Sequence, residues 1–285
     1  MPFTINFARP LRTDSSKGHF IMRLLLILLS FVVLSGCGGI TKILKSSDPT
    51  YKLRIAEQYF VKKKYNKAQL LYEDVMPYFR PLKEFEDIYY KYSYCAYYQQ
   101  DYLNAQNLFK TFIEIFPNST RAVEVDFMKA YCYYKLSPKP ELDQTNTIKT
   151  IGLMQIFINT HPGSEKNKEA NEIIDICRRK LEIKDFKSAQ LYYDLGQYRA
   201  AGVAFASVLN SYPESEKCDE YMMMIIKSYY LFAEMSVEEK KLERFEQVIT
   251  ECNNFSDRFP ESKLKKEAEQ YYTLSQNNIK NISNE

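Results

Sequence analysis

One cysteine stands where its thiol can be chemically modified, at the end of an apolar run near the amino terminus. The run extends over 11 residues from Leu24 to Leu34, and Ser35 and Gly36 separate it from Cys37. It is shorter than the roughly 20 residues that a bilayer-spanning helix needs. It has the length of the apolar segment of a signal peptide with a small-residue cleavage site behind it. Cys37 is therefore a candidate for covalent lipidation.

The four residues that end at Cys37, LSGC, resemble the bacterial lipobox. This resemblance implies a diacylglycerol on the sulfur, and a fatty acid such as palmitate on the amine that cleavage frees. Two or three acyl chains hold a protein on a membrane far more firmly than one. We expect residues 1–36 to be a leader and signal peptide, with Met22 as the true start. The alternative is a short signal anchor in which the cysteine is incidental.

The rest of the chain offers no residues with the spacing of an active site or a metal site. Beyond Cys37 the only histidine is His161, and GxSxG, Walker A and GxGxxG motifs are absent. Five cysteines remain, without a CxxC pair: Cys95, Cys132, Cys177, Cys218 and Cys252. We expect them to be small core residues, although an exported location leaves a disulfide open. The sequence predicts no enzyme, no metal and no cofactor apart from the lipid on Cys37.

The charge balance excludes a nucleic-acid-binding surface. The whole chain has a formal charge of +3, but residues 1–36 carry four cations and one anion. From Cys37 onward, 35 basic and 35 acidic residues therefore remain. No basic block interrupts this balance, and the electrostatic footprint of a nucleic-acid-binding protein is missing. The short basic run at 61–64, VKKK, indicates a solvated turn between helices, with anionic head groups as the alternative partner.

A proline-containing tetrapeptide recurs four times and divides the chain into repeats. The copies are FPNS at 116, HPGS at 161, YPES at 212 and FPES at 259, so the prolines are 45, 51 and 47 residues apart. Proline disfavours a helical residue before it, so each preceding helix should end there. The serine two residues later is expected to cap the next helix. Four such junctions indicate a repeat architecture.

Small and aromatic residues also recur with helical spacing. Five small or aromatic residues lie at intervals of 3, 6, 3 and 4 along the first hairpin: Ala56, Tyr59, Tyr65, Ala68 and Tyr72. The same intervals return from Ser93 to Phe109 and from Ala189 to Phe205. Small residues at a crossing let two helices approach to about 8–10 Å. We predict an all-α chain, a tetratricopeptide-repeat solenoid of about five helical hairpins.

The repeats define the expected domain organisation. We expect a lipidated cysteine and tether over 37–48, repeats one to three over 49–163, repeats four and five over 164–275, and a frayed tail over 276–285. Asp48 and Pro49 are predicted to begin the first helix as its N-cap and first residue. A tether of about eleven residues could extend to about 40 Å at ~3.5 Å per residue.

Residues 180–215, KLEIKDFKSAQLYYDLGQYRAAGVAFASVLNSYPES, resemble the fourth repeat of the BamD family of outer-membrane assembly lipoproteins. FKTFIEIFPNS followed by VDFMKAYCYY is similar to the family's passage from repeat two to repeat three. The chain departs from the family where repeat one closes with FRPLKEF in place of FPxS. It also has Gly202 and Val203 where an arginine often follows the paired alanines.

The resemblance implies a non-enzymatic scaffold at the periplasmic face of the outer membrane. Its carboxyl-terminal repeats would bind the barrel insertase, alongside other assembly lipoproteins, and its amino-terminal repeats would bind unfolded barrel precursors. Because the first helix of each repeat lines the groove in this class, the peptide-binding candidates are Phe60, Tyr90, Tyr94 and Tyr97. Gly38, after the cysteine, favours the outer membrane.

Two other functions remain open at this point. A tetratricopeptide lipoprotein can also serve a pilus secretin or cell-wall synthesis. A surface lipoprotein that binds glycans is the other alternative, but such proteins usually stack sugars on tryptophan, and this chain has none.

Overall fold

The computed structural model describes residues 38–284, which form helices and no strands. The leader, Met22 and Cys37 lie outside the described residues. The twelve helices are α1 (Gly38–Leu44), α2 (Pro49–Val61), α3 (Tyr65–Phe79), α4 (Glu84–Tyr98), α5 (Tyr102–Ile115), α6 (Ala122–Leu136), α7 (Thr145–Thr160), α8 (Asn167–Asp194), α9 (Tyr198–Ser211), α10 (Cys218–Glu234), α11 (Glu238–Arg258) and α12 (Lys265–Asn284).

The predicted all-α fold of helical hairpins is confirmed. Short connections join consecutive helices from α2 to α12, and packed hairpins are formed by α2 with α3, α6 with α7, α8 with α9 and α10 with α11. The chain divides into two compact units, residues up to Ala105 and residues from Gln106. In the first unit α2 packs against α3 and α3 against α4. In the second, neighbouring helices pack in sequence from α6 to α12.

Alanines occupy the helix crossings, as their spacing predicts. Ala56 and Ala68 are fully buried in the core of the first unit, beside Tyr72. Ala189 and Ala201 are equally buried in the second unit, beside Phe205. A methyl side chain at these positions lets large rings fill the space next to the crossing.

Three hairpins share one turn geometry. Lys63, Gln100 and Gly196 have positive φ angles of 55°, 64° and 72°. In each case the next residue's N–H donates to a carbonyl five residues back, as from Lys64 to Tyr59 at 2.8 Å. This is the left-handed closure with which many helices end. Only one of the three turns uses glycine, which adopts this conformation without a steric penalty.

The four proline junctions are built alike. In each, the serine side chain accepts the backbone N–H two residues ahead, at 3.0–3.2 Å. The helices α6, α8, α10 and α12 begin three residues after that serine, so the serine caps a preliminary turn and is not the helix N-cap. The predicted N-cap position was therefore wrong by two residues, as at Arg121 in place of Ser119. Asp48 does cap α2, accepting the N–H groups of Thr50 and Tyr51.

The five cysteines are free and buried, as core residues should be. No disulfide joins them, and this closes the alternative that the sequence left open. Burial raises the pKa of Cys95, Cys132 and Cys252 to about 12. Thiols with such pKa values remain protonated and are poor nucleophiles.

Both predicted flexible ends are helical in the described residues. Most of the tether forms α1, whose Ile40, Ile43 and Leu44 pack against the core of the first unit. The expected reach of about 40 Å is therefore wrong, because the apolar residues of the tether are buried. The tail expected to fray continues α12, and its Ile279 and Ile282 pack on the core of the second unit. Among the described helices, none combines the length and apolar character needed to cross a membrane.

Candidate functional site

Seven aromatic side chains gather where two pairs of helices turn in the first unit. They come from the end of α2, the start of α3, the second half of α4 and the start of α5. We call them the aromatic cluster: Phe60, Tyr65, Tyr90, Tyr94, Tyr97, Tyr98 and Tyr102. All four groove residues chosen from the sequence belong to it.

Ring contacts connect the whole cluster. Tyr65 and Tyr98 stack with centroids 4.5 Å apart and planes at 25°. Tyr98 also contacts Phe60 at 6.4 Å and Tyr94 at 5.6 Å, which joins the end of α2 to α4. Tyr94 contacts Tyr90 at 4.7 Å. Tilted and edge-on contacts at these distances favour a fixed arrangement of rings.

Exposure differs across the cluster and shows which rings a partner can reach. Tyr98 is 46% exposed, whereas Tyr94 is only 7% exposed. Phe60, Tyr90 and Tyr97 are half-buried. Tyr94 is therefore a buried ring against which its neighbours pack. The area of the cluster that a partner can contact comes chiefly from Tyr98. Tyrosine provides a large contact area at low entropic cost, which is why it is frequent in binding surfaces.

Tyr65 and Tyr102 belong to the repeat pattern of the sequence, but they were not among the predicted peptide-binding residues. Each follows a left-handed turn residue, Lys63 or Gln100, by two positions. That turn brings the first residue of one helix beside the last turn of the preceding helix, as in the contact of Tyr97 with Tyr102 at 5.6 Å. The shared Tyr position two residues after each turn was the available signal.

A polar network lies deeper in the first unit and links three helices. Glu57 on α2 accepts a hydrogen bond from the Tyr72 hydroxyl on α3 at 2.9 Å. Its other oxygen pairs with the Lys91 ammonium on α4 at 2.6 Å, and Lys91 also pairs with Asp87 at 2.7 Å. Burial acts to lower the pKa of Lys91, but the hydrogen bonds that its ammonium donates to Asp87 and Glu57 outweigh burial and raise that pKa. Burial, with the carboxylate beside it, raises the pKa of the Tyr72 hydroxyl. The network therefore fixes the helices and does not supply a proton at neutral pH.

The second unit exposes apolar side chains where α8 turns into α9 and α10 into α11. We call this set the apolar surface: Leu191, Tyr192, Leu195, Val203, Met235 and Val237. Their exposed fractions range from 43% to 73%. A cavity of about 670 Å³ opens among them, lined by Tyr192, Val203 and Phe232. The Arg244 guanidinium lies 4.0 Å from the centre of the Phe232 ring and covers it.

The charged groups of the described residues do not assemble a metal site. No group of three or more histidine, cysteine, aspartate or glutamate side chains there could hold an ion. His161 lies at the end of α7 and its Nε2 contacts an Asp126 oxygen at 3.0 Å, while the Lys129 ammonium contacts the other oxygen at 2.6 Å. These contacts fix a junction between helices. The aromatic cluster and the apolar surface are the candidate functional sites.

Comparisons with known proteins show which family the chain resembles. The model of the YfiO family, described as outer membrane lipoprotein, matches residues 47–245. The outer membrane protein assembly factor BamD of Caulobacter vibrioides is 23% identical over 136 residues, which cover 48% of this chain and 45% of that protein. A provisionally named BamD of Aquifex aeolicus is 25% identical over 151 residues, covering 53% and 49%. The matches span about half the length of these curated relatives.

Solved structures superpose on this chain only with low TM-scores. A tetratricopeptide-repeat protein of Bacteroides fragilis has a TM-score of 0.38 at 15% identity, covering 82% of this chain and 100% of that one. The TPR2AB domain of yeast Sti1 has a TM-score of 0.37 at 14% identity, covering 80% and 98%. At these TM-scores the overlaps support no inference about ligands or partners.

Proposed function

This chain belongs to the YfiO family of outer membrane lipoproteins, and from that membership we propose that it is a non-enzymatic scaffold of outer-membrane β-barrel assembly. It binds the barrel insertase and other lipoproteins of the assembly machinery, and it binds unfolded barrel precursors on their way into the membrane. The family match over residues 47–245 is the observation that carries this proposal. The names of the two BamD relatives support it.

The proposed anchor is a lipid on Cys37 at the periplasmic face of the outer membrane. LSGC at residues 34–37 supports it, since the apolar run before this motif has the length of a signal peptide. The lipid would hold the chain on the membrane without a spanning helix.

The aromatic cluster is the proposed binding site for precursor segments. A barrel precursor alternates apolar and polar residues along each strand. Its apolar side chains can pack on Tyr98 and the half-buried rings around it. The three exposed lysines at 62–64 lie in the turn between Phe60 and Tyr65, so the binding surface has a cationic rim.

The apolar surface of the second unit is the proposed binding site for the insertase. Its six apolar side chains are each 43% to 73% exposed, and grouped exposed apolar side chains are typical of a protein-binding surface. The cavity of about 670 Å³ beside Val203 and Phe232 can receive an anchoring side chain. No arginine follows the paired alanines here, so the contact is expected to rest on apolar packing more than on an ion pair.

A pull-down of the lipidated protein in mild detergent, followed by mass spectrometry, tests the proposal. We expect the barrel insertase to copurify, and Leu195→Glu with Val203→Glu to abolish its recovery. Glu246→Lys with Gln247→Lys on α11 is a control that alters charge elsewhere in the same unit. Recovery of a pilus secretin or of cell-wall enzymes in place of the insertase would refute the assignment to barrel assembly.

A peptide-binding measurement tests the role of the aromatic cluster separately. Tyr98→Ala should weaken binding of a labelled peptide from a barrel strand by at least about 1 kcal/mol, or roughly fivefold, if Tyr98 is an anchor. Tyr78→Ala removes a still more exposed tyrosine, at 63%, from the opposite end of the unit and serves as the control. Equal affinities for the two variants, with intact helical circular dichroism, would contradict the binding assignment.

A further inference from the structure

The turn between α3 and α4 departs from the proline junctions, and no step of the proposed function uses it. Its sequence, FRPLKEF, replaces the FPxS form of the later repeats. Arg80, Leu82 and Lys83 in this turn are exposed, with Leu82 at 49%, and Tyr78 in the last turn of α3 is 63% exposed. An aromatic residue, a leucine and two cations thus project from one end of the first unit.

The beginning of α2 lies beside this turn. Helices α2 and α3 run antiparallel, since a short turn joins them. The Lys52 ammonium on α2 contacts the Asp74 carboxylate on α3 at 2.6 Å, so these two residues lie at the same height along the hairpin. Asp48, four residues before Lys52, is therefore level with Tyr78, four residues after Asp74. The N-terminus of α2 and the turn between α3 and α4 form one end of the unit.

Helix α1 brings the lipidated end of the chain to the same place. Its apolar residues, Ile40, Ile43 and Leu44, pack against the core of the unit, so the helix is docked and not extended. Lys42 and Lys45 remain exposed. Cys37 is bonded directly to the first residue of α1, and consecutive Cα atoms are only about 3.8 Å apart. A lipid on Cys37 would therefore insert into the membrane close to this end.

Cations are prominent among the exposed side chains at this end. Its four exposed cations are Lys42, Lys45, Arg80 and Lys83, and none forms an ion pair among the residues that the structure describes. Four carboxylates lie near them, Asp48 and the first-turn residues Glu84, Glu86 and Asp87 of α4, and Asp87 pairs with Lys91. Asp48 is occupied by the two N–H groups at the start of α2, and Glu84 is exposed at the start of α4.

We propose that this end of the first unit rests on the phospholipid head groups of the membrane. Tyr78 and Leu82 enter the interfacial layer, and the four cations contact anionic lipids. The proposal rests on the proposed lipidation of Cys37, which delivers this end of the unit to the bilayer. A lipid surface fits better than a protein partner, because tyrosine, leucine and flanking cations without a matching pocket are typical of interfacial contacts.

The absence of tryptophan in the chain gives a clean test. Leu82→Trp places a single reporter in the turn between α3 and α4. Leu103→Trp is the matched control, because Leu103 is exposed at 62% in the same unit but lies beside the opposite turns. Each lipidated variant is reconstituted into vesicles of phosphatidylglycerol and acyl-brominated phosphatidylcholine, and its fluorescence is compared with that in unbrominated vesicles.

Bromine on the acyl chains should quench the tryptophan at 82 and shift its emission to the blue, because interfacial side chains reach about 5–10 Å into the boundary between head groups and acyl chains. The tryptophan at 103 should keep its emission. Arg80→Glu with Lys83→Glu should reduce the quenching at 82, whereas Lys62→Glu with Lys64→Glu should not. Raised salt should weaken the contact, as for any exposed charge attraction.

The possible outcomes distinguish the proposed head-group contact from the proposed lipid anchor on Cys37. If the protein floats with the vesicles and the tryptophan at 82 is quenched no more than the one at 103, the head-group contact is refuted and the lipid anchor stands. If the protein carries no lipid by mass spectrometry and does not float, the anchor is refuted and this inference with it.

Discussion

The ion pair between Lys52 and Asp74 yields an asymmetric prediction about the stability of the first hairpin. The two charged atoms are 2.6 Å apart, but their burial differs: the Lys52 side chain is 9% exposed and that of Asp74 is 36% exposed. Removing Asp74 leaves a buried ammonium without its partner. Removing Lys52 leaves a carboxylate that water can reach.

The magnitudes follow from this difference. Loss of one partner from a fully buried pair costs about 3–5 kcal/mol, and an exposed pair contributes about 0–1 kcal/mol. For Asp74→Ala, with one buried and one partly exposed partner, we expect about 2 kcal/mol, between these limits. Lys52→Met keeps the apolar stem and should cost within about 1 kcal/mol. The double variant should be about 1 kcal/mol more stable than Asp74→Ala alone, because no buried charge remains.

Native-state hydrogen exchange, read by mass spectrometry on peptides within 49–79, measures the opening of this hairpin directly. A loss of about 2 kcal/mol raises the opening equilibrium roughly thirtyfold. Equal losses for the two single variants would refute the reasoning from burial. So would a double variant whose loss is the sum of the single losses, because that outcome means the two charges act independently.

Three further predictions concern the core and the turns. Ala201→Leu should lose about 1–3 kcal/mol by overpacking, whereas Ala200→Leu, exposed on the same helix, should lose almost nothing in urea denaturation. Lys63→Gly should gain about 1 kcal/mol, because it relieves the left-handed conformation of a residue with a Cβ; a loss in thermal denaturation would contradict this. A thiol reagent should label no cysteine of the folded chain at neutral pH and all of the buried five after unfolding. Their raised pKa values also predict that stability falls as the pH rises from about 9 towards 12, since the unfolded thiols lose their protons first.

The repeat architecture could be predicted because its signals are local. Each proline junction contains the residues that end one helix and begin the next. The buried alanines keep the same spacing in hairpins that are far apart in sequence. The absence of glycine and proline between Glu165 and Leu195 favours a long helix, and α8 extends over 28 residues. A helix can be read from such patterns because its hydrogen bonds close within the segment itself.

The sites were harder to predict because they depend on which helix ends meet. Tyr94 has the same sequence character as Tyr98, yet one ring is buried and the other is nearly half exposed. The tether contains apolar residues at helical spacing, but only its packing on the first unit distinguishes a docked helix from a linker. At Gly202 a Cβ atom would lie 2.5 Å from the Tyr229 ring, a close approach of α9 to α10 that only the structure shows.

The first unit thus has two ends of different chemistry, and their separation has a consequence for the proposed function. One end carries α1, the turn of Arg80 and Leu82, and four exposed cations; the other carries the aromatic cluster. Helix α2 connects them, and its 13 residues rise about 20 Å. If the first end rests on the head groups, the aromatic cluster faces the aqueous side, about 20 Å or more from the lipid. A precursor would then be bound before its apolar side chains reach the bilayer, at a distance that the docked α1 fixes and that an extended tether could not.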